Sequence, residues 1–193
     1  SFPASTYKVM LDNLRQRGFK VDAVEKYGHD PKYPVTNNWP HLVQQLADFA
    51  QDKQGEGEPA FLVGHSLGGI LSLMCAARHP ELARGVLMID SPVLGGWRAT
   101  TLGLAKRTSL VGSVSPGRIS QKRRNHWPSL EAALDNFSNK KAFAKWDPQV
   151  LRDYIEHGTH DEDGQRVLSF DRDVETAIYN SLPHKLDSLL KRK

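Results

Sequence analysis

One short segment of the sequence has the residue types and spacing of a nucleophilic site. Residues 64–68 read Gly-His-Ser-Leu-Gly, the pattern G-x-S-x-G, and Gly69 follows. A serine hydroxyl acts as a nucleophile when a tight turn presents it and a nearby base removes its proton. Glycines on both sides of Ser66 are expected to keep side chains from colliding in such a turn. The backbone N–H of Leu67 would then stabilise the oxyanion that forms.

Two other interpretations of the same residues are open. A glycine-rich turn with an incidental serine would carry no chemistry. A phosphate-binding loop would need a Lys-Ser or Lys-Thr pair after the glycines, and the segment has none. The flanking residues favour the nucleophile, because the apolar run 60–63 precedes the motif and an apolar helical pattern, residues 67–78, follows it.

A serine nucleophile needs a base and an acid that orients the base, in the chain order serine, acid, histidine. Asp90 ends the next apolar run, so it is the candidate acid, and its alternative role is to cap the turn that follows. The histidines after Ser66 are His79, His126, His157, His160 and His184. None of them follows a predicted strand at the carboxyl edge of the sheet, so no base is assigned.

The remaining histidines, acidic residues and cysteine predict neither a metal site nor a second nucleophile. His157 and His160 precede three acidic residues, but the spacing matches no standard metal site, and we expect neither a metal nor a cofactor. Cys75 is the single cysteine, which excludes an internal disulfide framework, and its apolar neighbours predict a place in the core.

The elements that must position these residues alternate between helix and strand. Helices are predicted over residues 4–17, 39–51 and 67–78, and strands over residues 19–27, 60–63 and 85–89. Buried strands that alternate with helices indicate a parallel α/β sheet. After Asp90 the pattern is helical, with helices over residues 130–137, 148–157 and 174–180 and a short extended piece over 167–170.

The strand, the GHSLGG turn and the buried helix together resemble the nucleophile elbow of the α/β-hydrolase family. The resemblance implies an α/β-hydrolase fold, that is, a mostly parallel sheet with helices on both faces and an inserted helical cap. It assigns residues 1–93 to a partial core, strands four to six of the family sheet, and residues 94–193 to the cap and its return to the core. Phe2-Pro3 resembles the turn after the third strand of the family, which implies that the Phe2 N–H is the second oxyanion donor.

The resemblance also implies strands outside these 193 residues. Strands one to three would precede Ser1, and strands seven and eight, with the catalytic histidine, would follow Lys193. We therefore expect the sequence to be part of a longer protein. Pairing of residues 19–27 with residues 60–63 in a complete sheet would contradict that expectation.

The function that the resemblance implies is hydrolysis of an ester or related acyl substrate through an acyl-enzyme at Ser66. Serine at the elbow, in place of aspartate, argues against haloalkane dehalogenase and epoxide hydrolase chemistry. Carboxylester, thioester, lactone and carbon–carbon bond hydrolysis stay open, and the expected partner is a small apolar acyl compound. The alternative is a hydrolase-like fold that is used for binding or signalling without turnover.

Charge and composition limit the other function classes. The net charge of +4 is local, because residues 91–130 hold seven basic residues and no acidic one. Such an excess fits a solvated insertion or a phosphate-binding patch, and Arg123-Arg124 could hold an anionic group of a substrate. No nucleic-acid-binding signature accompanies it, so we expect no nucleic-acid partner. The sequence shows no membrane-spanning run and no signal peptide, and we expect a cytoplasmic protein.

Overall fold

A computed structural model of the chain describes residues 2–55, 57–91, 120–183 and 186. The chain divides into two compact units. The first, called the hairpin unit here, comprises Ser1–Lys26 and Lys122–Arg172, and the second, called the elbow unit, comprises Tyr27–Gln121 and Asp173–Lys193. The predicted boundary between residues 93 and 94 lies outside the described residues and stays a prediction.

The helices and strands follow one another along the chain with these bounds. The helices are α1 (Lys8–Gln16), α2 (Pro40–Gln54), α3 (Leu67–Arg78), α4 (Leu130–Ser138), α5 (Pro148–Gly158) and α6 (Arg172–Asn180). The strands are β1 (Ala60–His65), β2 (Ala83–Ile89), β3 (His126–Trp127), β4 (Thr159–Glu162) and β5 (Gln165–Leu168). Single turns of 3-10 helix cover Ala4–Tyr7 and Pro80–Leu82.

The elbow unit is built around the parallel pair β1 and β2. Their register runs from Ala60 opposite Ala83 to His65 opposite Ile89, and α3 joins the strands and packs against both. Helix α2 packs on α3, and the side chains of Trp39, Leu42 and Leu71 are buried in this core. This confirms the predicted strands over residues 60–63 and 85–89 and the predicted helix over residues 67–78.

One face of the β1–β2 pair is exposed among the described residues, and this corrects a prediction. The apolar run 60–63 predicts a strand that is buried on both faces, but Phe61 is 66% exposed and Val63 is 50% exposed. Val63 lies beside Leu87, which is 56% exposed on the same face. Leu62, on the opposite face, is buried. Helix α3 therefore packs on the face of the β1–β2 pair that includes Leu62, and the face that includes Val63 is exposed.

The predicted strand over residues 19–27 is wrong. The segment has no regular structure, and Phe19 is 61% exposed. Its backbone and side chains bond instead to the N-terminal helical residues: Ala4 N–H donates to the Glu25 carbonyl at 2.9 Å, and an Arg15 Nη donates to the Val21 carbonyl at 3.0 Å. Alternating apolar residues do not make a strand unless a neighbouring strand satisfies their backbone groups.

The hairpin unit combines the helices α1, α4 and α5 with a small antiparallel sheet of order β3-β5-β4. Helices α4 and α5 confirm the predicted helices in this part of the chain. The predicted extended piece over residues 167–170 is found as β5, shifted to Gln165–Leu168, whereas β3 and β4 are additional strands. Asp163 and Gly164 both have positive φ, 47° and 75°, and form the tight turn between β4 and β5.

The core of the hairpin unit is aromatic. Trp127 is 1% exposed and Phe137 is 5% exposed, and the two ring centroids lie 5.6 Å apart. Arg166 links β5 to β4 and α5. Its guanidinium donates to the Thr159 hydroxyl at 3.0 Å and to the Glu156 carbonyl at 2.9 Å. Within residues 2–55, 57–91 and 120–183, none of the helices combines the length and hydropathy needed to cross a lipid bilayer.

Candidate active site

Ser66 occupies a sharp turn between a strand and a helix. It follows the last residue of β1 and immediately precedes α3, with φ at 51° and ψ at −113°. A residue other than glycine adopts positive φ at a cost of about 1–2 kcal/mol, so neighbouring structure must hold it there. The Ser66 side chain is exposed, and among the described residues its hydroxyl has no hydrogen-bond partner. The turn therefore presents a free hydroxyl to solvent.

The glycines around Ser66 differ in how much space a side chain would have at each position. A Cβ on Gly64 would lie 2.1 Å from the Gly68 carbonyl carbon, and a Cβ on Gly69 would lie 2.1 Å from Ser91 Oγ. A Cβ on Gly68 would meet nothing within 4 Å. The prediction that glycines on both sides prevent collisions therefore holds at Gly64 and is wrong at Gly68. The residue that must stay small on the far side is Gly69.

The turn is fastened to β2 through backbone groups. The Ser66 N–H donates to the Ile89 carbonyl at 2.9 Å. The Ser91 hydroxyl lies 2.9 Å from the Ser66 carbonyl oxygen and 3.1 Å from the Ile89 carbonyl oxygen. Ser91 thus connects the end of β2 to the backbone of Ser66. Its place two residues beyond the strand gives no sequence signal for this contact.

The two predicted oxyanion donors lie in different units. Leu67 is the first residue of α3, so its N–H has no acceptor within the helix and lies at the positive end of the helix dipole. Phe2 belongs to the hairpin unit, where its ring packs against Tyr154 with centroids 4.6 Å apart. The assignment of both N–H groups to an oxyanion hole stays a prediction.

Asp90 follows β2 and is exposed, with φ at 45°. Among the described residues, its carboxylate makes no hydrogen bond or ion pair. A free carboxylate at the end of β2 fits the predicted acid and equally fits a turn residue, so the role of Asp90 stays a prediction.

Most described histidines after Ser66 already contact a neighbour. The contacts are His79 Nδ1 to Glu81 Oε1 at 3.5 Å, His126 Nδ1 to Asn125 Oδ1 at 2.8 Å, and His160 Nε2 to Glu162 Oε2 at 3.6 Å. His184 lies outside the described residues. The described part of the chain holds no group of three or more His, Cys, Asp or Glu side chains that could bind a metal ion. The base for Ser66 is therefore still unassigned.

Cys75 lies in α3, the helix that follows Ser66, and packs in the core as predicted. Its side chain is fully buried, and burial raises the pKa of the thiol to about 11, with a smaller upward contribution from Glu81. A protonated, buried thiol is a poor nucleophile. Cys75 is therefore a packing residue and no rival to Ser66.

Similar proteins were found by sequence and by structure. A protein from Alternaria alternata, described as abhydrolase domain-containing, is 29% identical over 105 residues, which span 54% of this chain and 35% of that protein. The crystal structure of E-2-(acetamidomethylene)succinate hydrolase matches 95% of this chain and 63% of its own length, with a TM-score of 0.67 and 21% identity. A thioesterase domain from the curacin biosynthetic pathway matches 98% of this chain and 66% of its own length, with a TM-score of 0.65 and 17% identity.

These matches establish the fold and the family. The two solved structures share the fold predicted from the GHSLGG turn, and the chain spans about a third of the curated relative. The sequence profile described as the alpha/beta hydrolase family matches residues 1–186, nearly the whole chain. The chain therefore belongs to the alpha/beta hydrolase family.

Proposed function

We propose that this chain carries the nucleophile of a serine hydrolase that cleaves an ester or a related acyl compound. The observation that carries the proposal is the backbone of Ser66, which is held at positive φ between a parallel strand and a helix with its hydroxyl exposed. A protein maintains such a conformation only when the surrounding structure fixes it, and strain of this kind clusters at functional sites.

The reaction begins when a base takes the proton of the Ser66 hydroxyl and Oγ attacks the acyl carbon. The carbonyl oxygen becomes an oxyanion, which the Leu67 N–H and, by family resemblance, the Phe2 N–H would stabilise. One such donor contributes about 3 kcal/mol to the transition state. The tetrahedral intermediate collapses, the alcohol or thiol leaves with a proton, and the acyl group stays on Ser66. Water then attacks the acyl-enzyme and releases the acid.

The proposal specifies the type of reaction but not which acyl compound is the substrate. One similar protein is named as a hydrolase and another as a thioesterase domain, which supports hydrolysis as the reaction type. Oxygen esters, thioesters and lactones react through the same acyl-enzyme, so the proposal extends to all three. The proposed substrate is a small compound with an apolar acyl group.

Labelling with a fluorophosphonate probe tests the proposal. The probe reacts with serines that are activated by a base, so we expect covalent labelling at Ser66 in a form of the protein that includes the base, and none in the Ser66→Ala variant of that form. Ser138→Ala is the matched control, because Ser138 is an exposed serine whose hydroxyl donates to the Asp135 carbonyl at 3.0 Å. We expect Ser138→Ala to be labelled like the unchanged chain.

Two results would contradict the proposal. Equal labelling of Ser66→Ala would move the nucleophile to another residue. Absence of labelling in a chain that is folded by circular dichroism, and in any longer form of the protein, would favour the alternative, a hydrolase-like fold used for binding or signalling. Release of more than one equivalent of p-nitrophenol per protein from p-nitrophenyl acetate separates turnover from a single acylation event.

A further inference from the structure

A cleft lies in the elbow unit between the loop 28–35 and helix α6. Its volume is about 430 Å³, within the range of about 300–1,000 Å³ that is usual for small-molecule sites. All of the residues that line it belong to the elbow unit. Its walls are largely apolar, with Pro31, Pro34 and Val35 on the loop and Val174 and Ala177 on α6. We call it the loop–helix cleft.

The loop approaches α6 closely at Gly28, which also lines the cleft. A Cβ at this position would lie 2.6 Å from Val35 Cγ2 and 3.1 Å from Val174 Cγ1. The φ of Gly28 is 76°, in the left-handed region that favours glycine. The absence of a side chain at Gly28 therefore allows the loop and the helix to come together around the cleft.

Hydrogen bonds hold both walls of the cleft in place. The Tyr33 N–H donates to the Asp30 carbonyl at 2.9 Å, and the Tyr33 hydroxyl donates to an Asp48 oxygen at 2.6 Å. The Asn38 N–H donates at 3.0 Å to the carbonyl of Ser181, the residue that follows α6. Walls that are already ordered lose little conformational entropy when a ligand binds, and this favours affinity.

Apart from His29, the titratable side chains that line the cleft are acidic. Asp30 and Asp173 contribute carboxylates, and none of the described lining residues is a lysine or an arginine. Asp30 is exposed, and one of its carboxylate oxygens accepts the Lys32 backbone N–H at 2.8 Å. The Lys32 ammonium pairs with Asp48, at 3.3 Å. Among the described residues, the Asp30 carboxylate has no ion-pair partner.

We propose that the loop–helix cleft binds a small organic cation, with an alkylammonium ion as the representative ligand. The ammonium group would donate a charge-assisted hydrogen bond to the Asp30 carboxylate, and the alkyl chain would lie against the apolar walls. A metal ion fits less well, because the described part of the chain holds no group of three or more His, Cys, Asp or Glu side chains that could bind one. Ser66 and Leu67 do not line the cleft, so the proposal is independent of the proposed hydrolase chemistry.

Titration calorimetry at pH 8 tests the cleft on the full 193-residue chain. Histidine side chains are ordinarily neutral at this pH, whereas alkylamines keep their positive charge. Hexylammonium carries both parts of the proposed ligand, hexanol lacks the charge, and methylammonium lacks most of the apolar part. Because Asp30 is exposed, we expect its ion pair to make hexylammonium bind about threefold to fivefold more tightly than hexanol. Each buried CH₂ group strengthens binding about fourfold, so methylammonium should bind at least about tenfold more weakly than hexylammonium.

Asp30→Asn removes the charge and keeps the oxygen that accepts the Lys32 N–H. We expect this variant to bind hexylammonium about threefold to fivefold more weakly, with hexanol binding unchanged. Asp52→Asn is the matched control, because Asp52 is an exposed aspartate of α2 that does not line the cleft. It should bind hexylammonium like the unchanged chain, and so should Ser66→Ala.

Ala177→Leu tests the apolar walls without a change of charge. Leucine fills part of the cleft and has a helix propensity close to that of alanine. We expect hexylammonium and hexanol both to bind about fourfold more weakly for each CH₂ group that is displaced from the walls. Ala144→Leu, at an exposed alanine outside the cleft, is the control and should bind both like the unchanged chain. A melting temperature for each variant verifies that it is folded.

Several outcomes would overturn the proposal. Absence of hexylammonium binding would exclude the ligand class, and hexanoate bound as tightly as hexylammonium would show that the sign of the charge is not recognised. Equal hexylammonium affinity in Asp30→Asn and in the unchanged chain would exclude Asp30 as its partner. Binding that Ala177→Leu leaves unchanged would place the ligand outside the cleft. None of these results depends on labelling of Ser66, so this proposal and the proposed function can fail separately.

Discussion

At the scale of single residues, Ser66 is held through its backbone, and its side chain takes no part. Its N–H donates to the Ile89 carbonyl at 2.9 Å, and its carbonyl oxygen lies 2.9 Å from the Ser91 hydroxyl and 3.3 Å from the Ile70 N–H. Among the described residues, the hydroxyl of Ser66 has no hydrogen-bond partner, as the proposed function requires. We therefore expect Ser91 to act on the proposed chemistry only through the conformation of Ser66.

Ser91→Ala tests this positioning role. Loss of one hydrogen bond costs about 1 kcal/mol, which is comparable to the cost of positive φ at Ser66, so more of the population should leave the reactive conformation. We expect the second-order rate of fluorophosphonate labelling to fall about fivefold to tenfold. The melting temperature should change by only a few degrees.

The control removes a similar hydrogen bond away from the elbow. Ser138→Ala deletes a serine hydroxyl that donates to the Asp135 carbonyl at 3.0 Å in α4. Its labelling rate should equal that of the unchanged chain. An unchanged rate in Ser91→Ala would show that the strand and helix alone hold Ser66.

The places of Ser66 and Leu67 at the turn between a strand and a helix were predictable, because they follow from adjacent residues. The G-x-S-x-G spacing, the apolar run before it and the apolar helix after it are all local. Ser91 was not predictable, because its contact with Ser66 joins residues 25 positions apart through the pairing of β1 with β2. The role of Gly68 was predicted wrongly, since spacing cannot show which glycine faces open space.

At the scale of elements, the elbow depends on the close approach of α3 to the end of β1. Gly64 makes that approach possible, because a Cβ at this position would overlap the backbone of Gly68 and Gly69 at 2.1–2.3 Å. Backbone atoms cannot move aside as a flexible side chain would. The strand, the turn and the helix thus form one unit whose geometry depends on a hydrogen atom in place of a methyl group.

Gly64→Ala and Gly68→Ala form a matched pair for this dependence. We expect Gly64→Ala to abolish labelling of Ser66 and to lower the melting temperature, because the helix must move away from the strand. Gly68→Ala meets no atom within 4 Å and lies in the first turn of α3, where alanine is favoured over glycine by up to about 1 kcal/mol. It should keep its labelling and its stability. Equal behaviour of the two variants would contradict the packing described for the elbow.

The elements that could not be predicted are short strands and segments whose hydrogen-bond partners are distant in the sequence. The β4–β5 hairpin has a local signal in Asp163-Gly164, a dipeptide that favours a tight turn, but from the sequence the acidic residues there are considered only as possible metal ligands. The segment 19–27 alternates like a strand, yet its hydrogen bonds go to the N-terminal helical residues. In both cases the pattern of apolar residues was a weaker guide than the available backbone partners.

At the scale of the whole molecule, the family fold could be predicted from the sequence. Whether these residues hold every strand of that fold could not. The expectation that further strands exist outside these 193 residues stays a prediction. Phe61, Val63, Leu87 and Ile89 expose 66%, 50%, 56% and 38% of their surface on one face of the β1–β2 pair. A contiguous apolar face of this kind is uncommon in a soluble protein and marks a surface for contact with another molecule.

Dye binding measures whether this face is open in solution. The dye ANS fluoresces when it binds contiguous apolar surface, so we expect the 193-residue chain to enhance its fluorescence. Val63→Thr with Leu87→Thr keeps β-branched or strand-compatible side chains but breaks the apolar face, and should remove at least about half of the enhancement. Val9→Thr with Met10→Thr is the control, because these residues are each 41% exposed on α1, away from any sheet. Equal loss in both pairs would contradict a role for the sheet face. Absence of enhancement in the unchanged chain would show that the face is already covered.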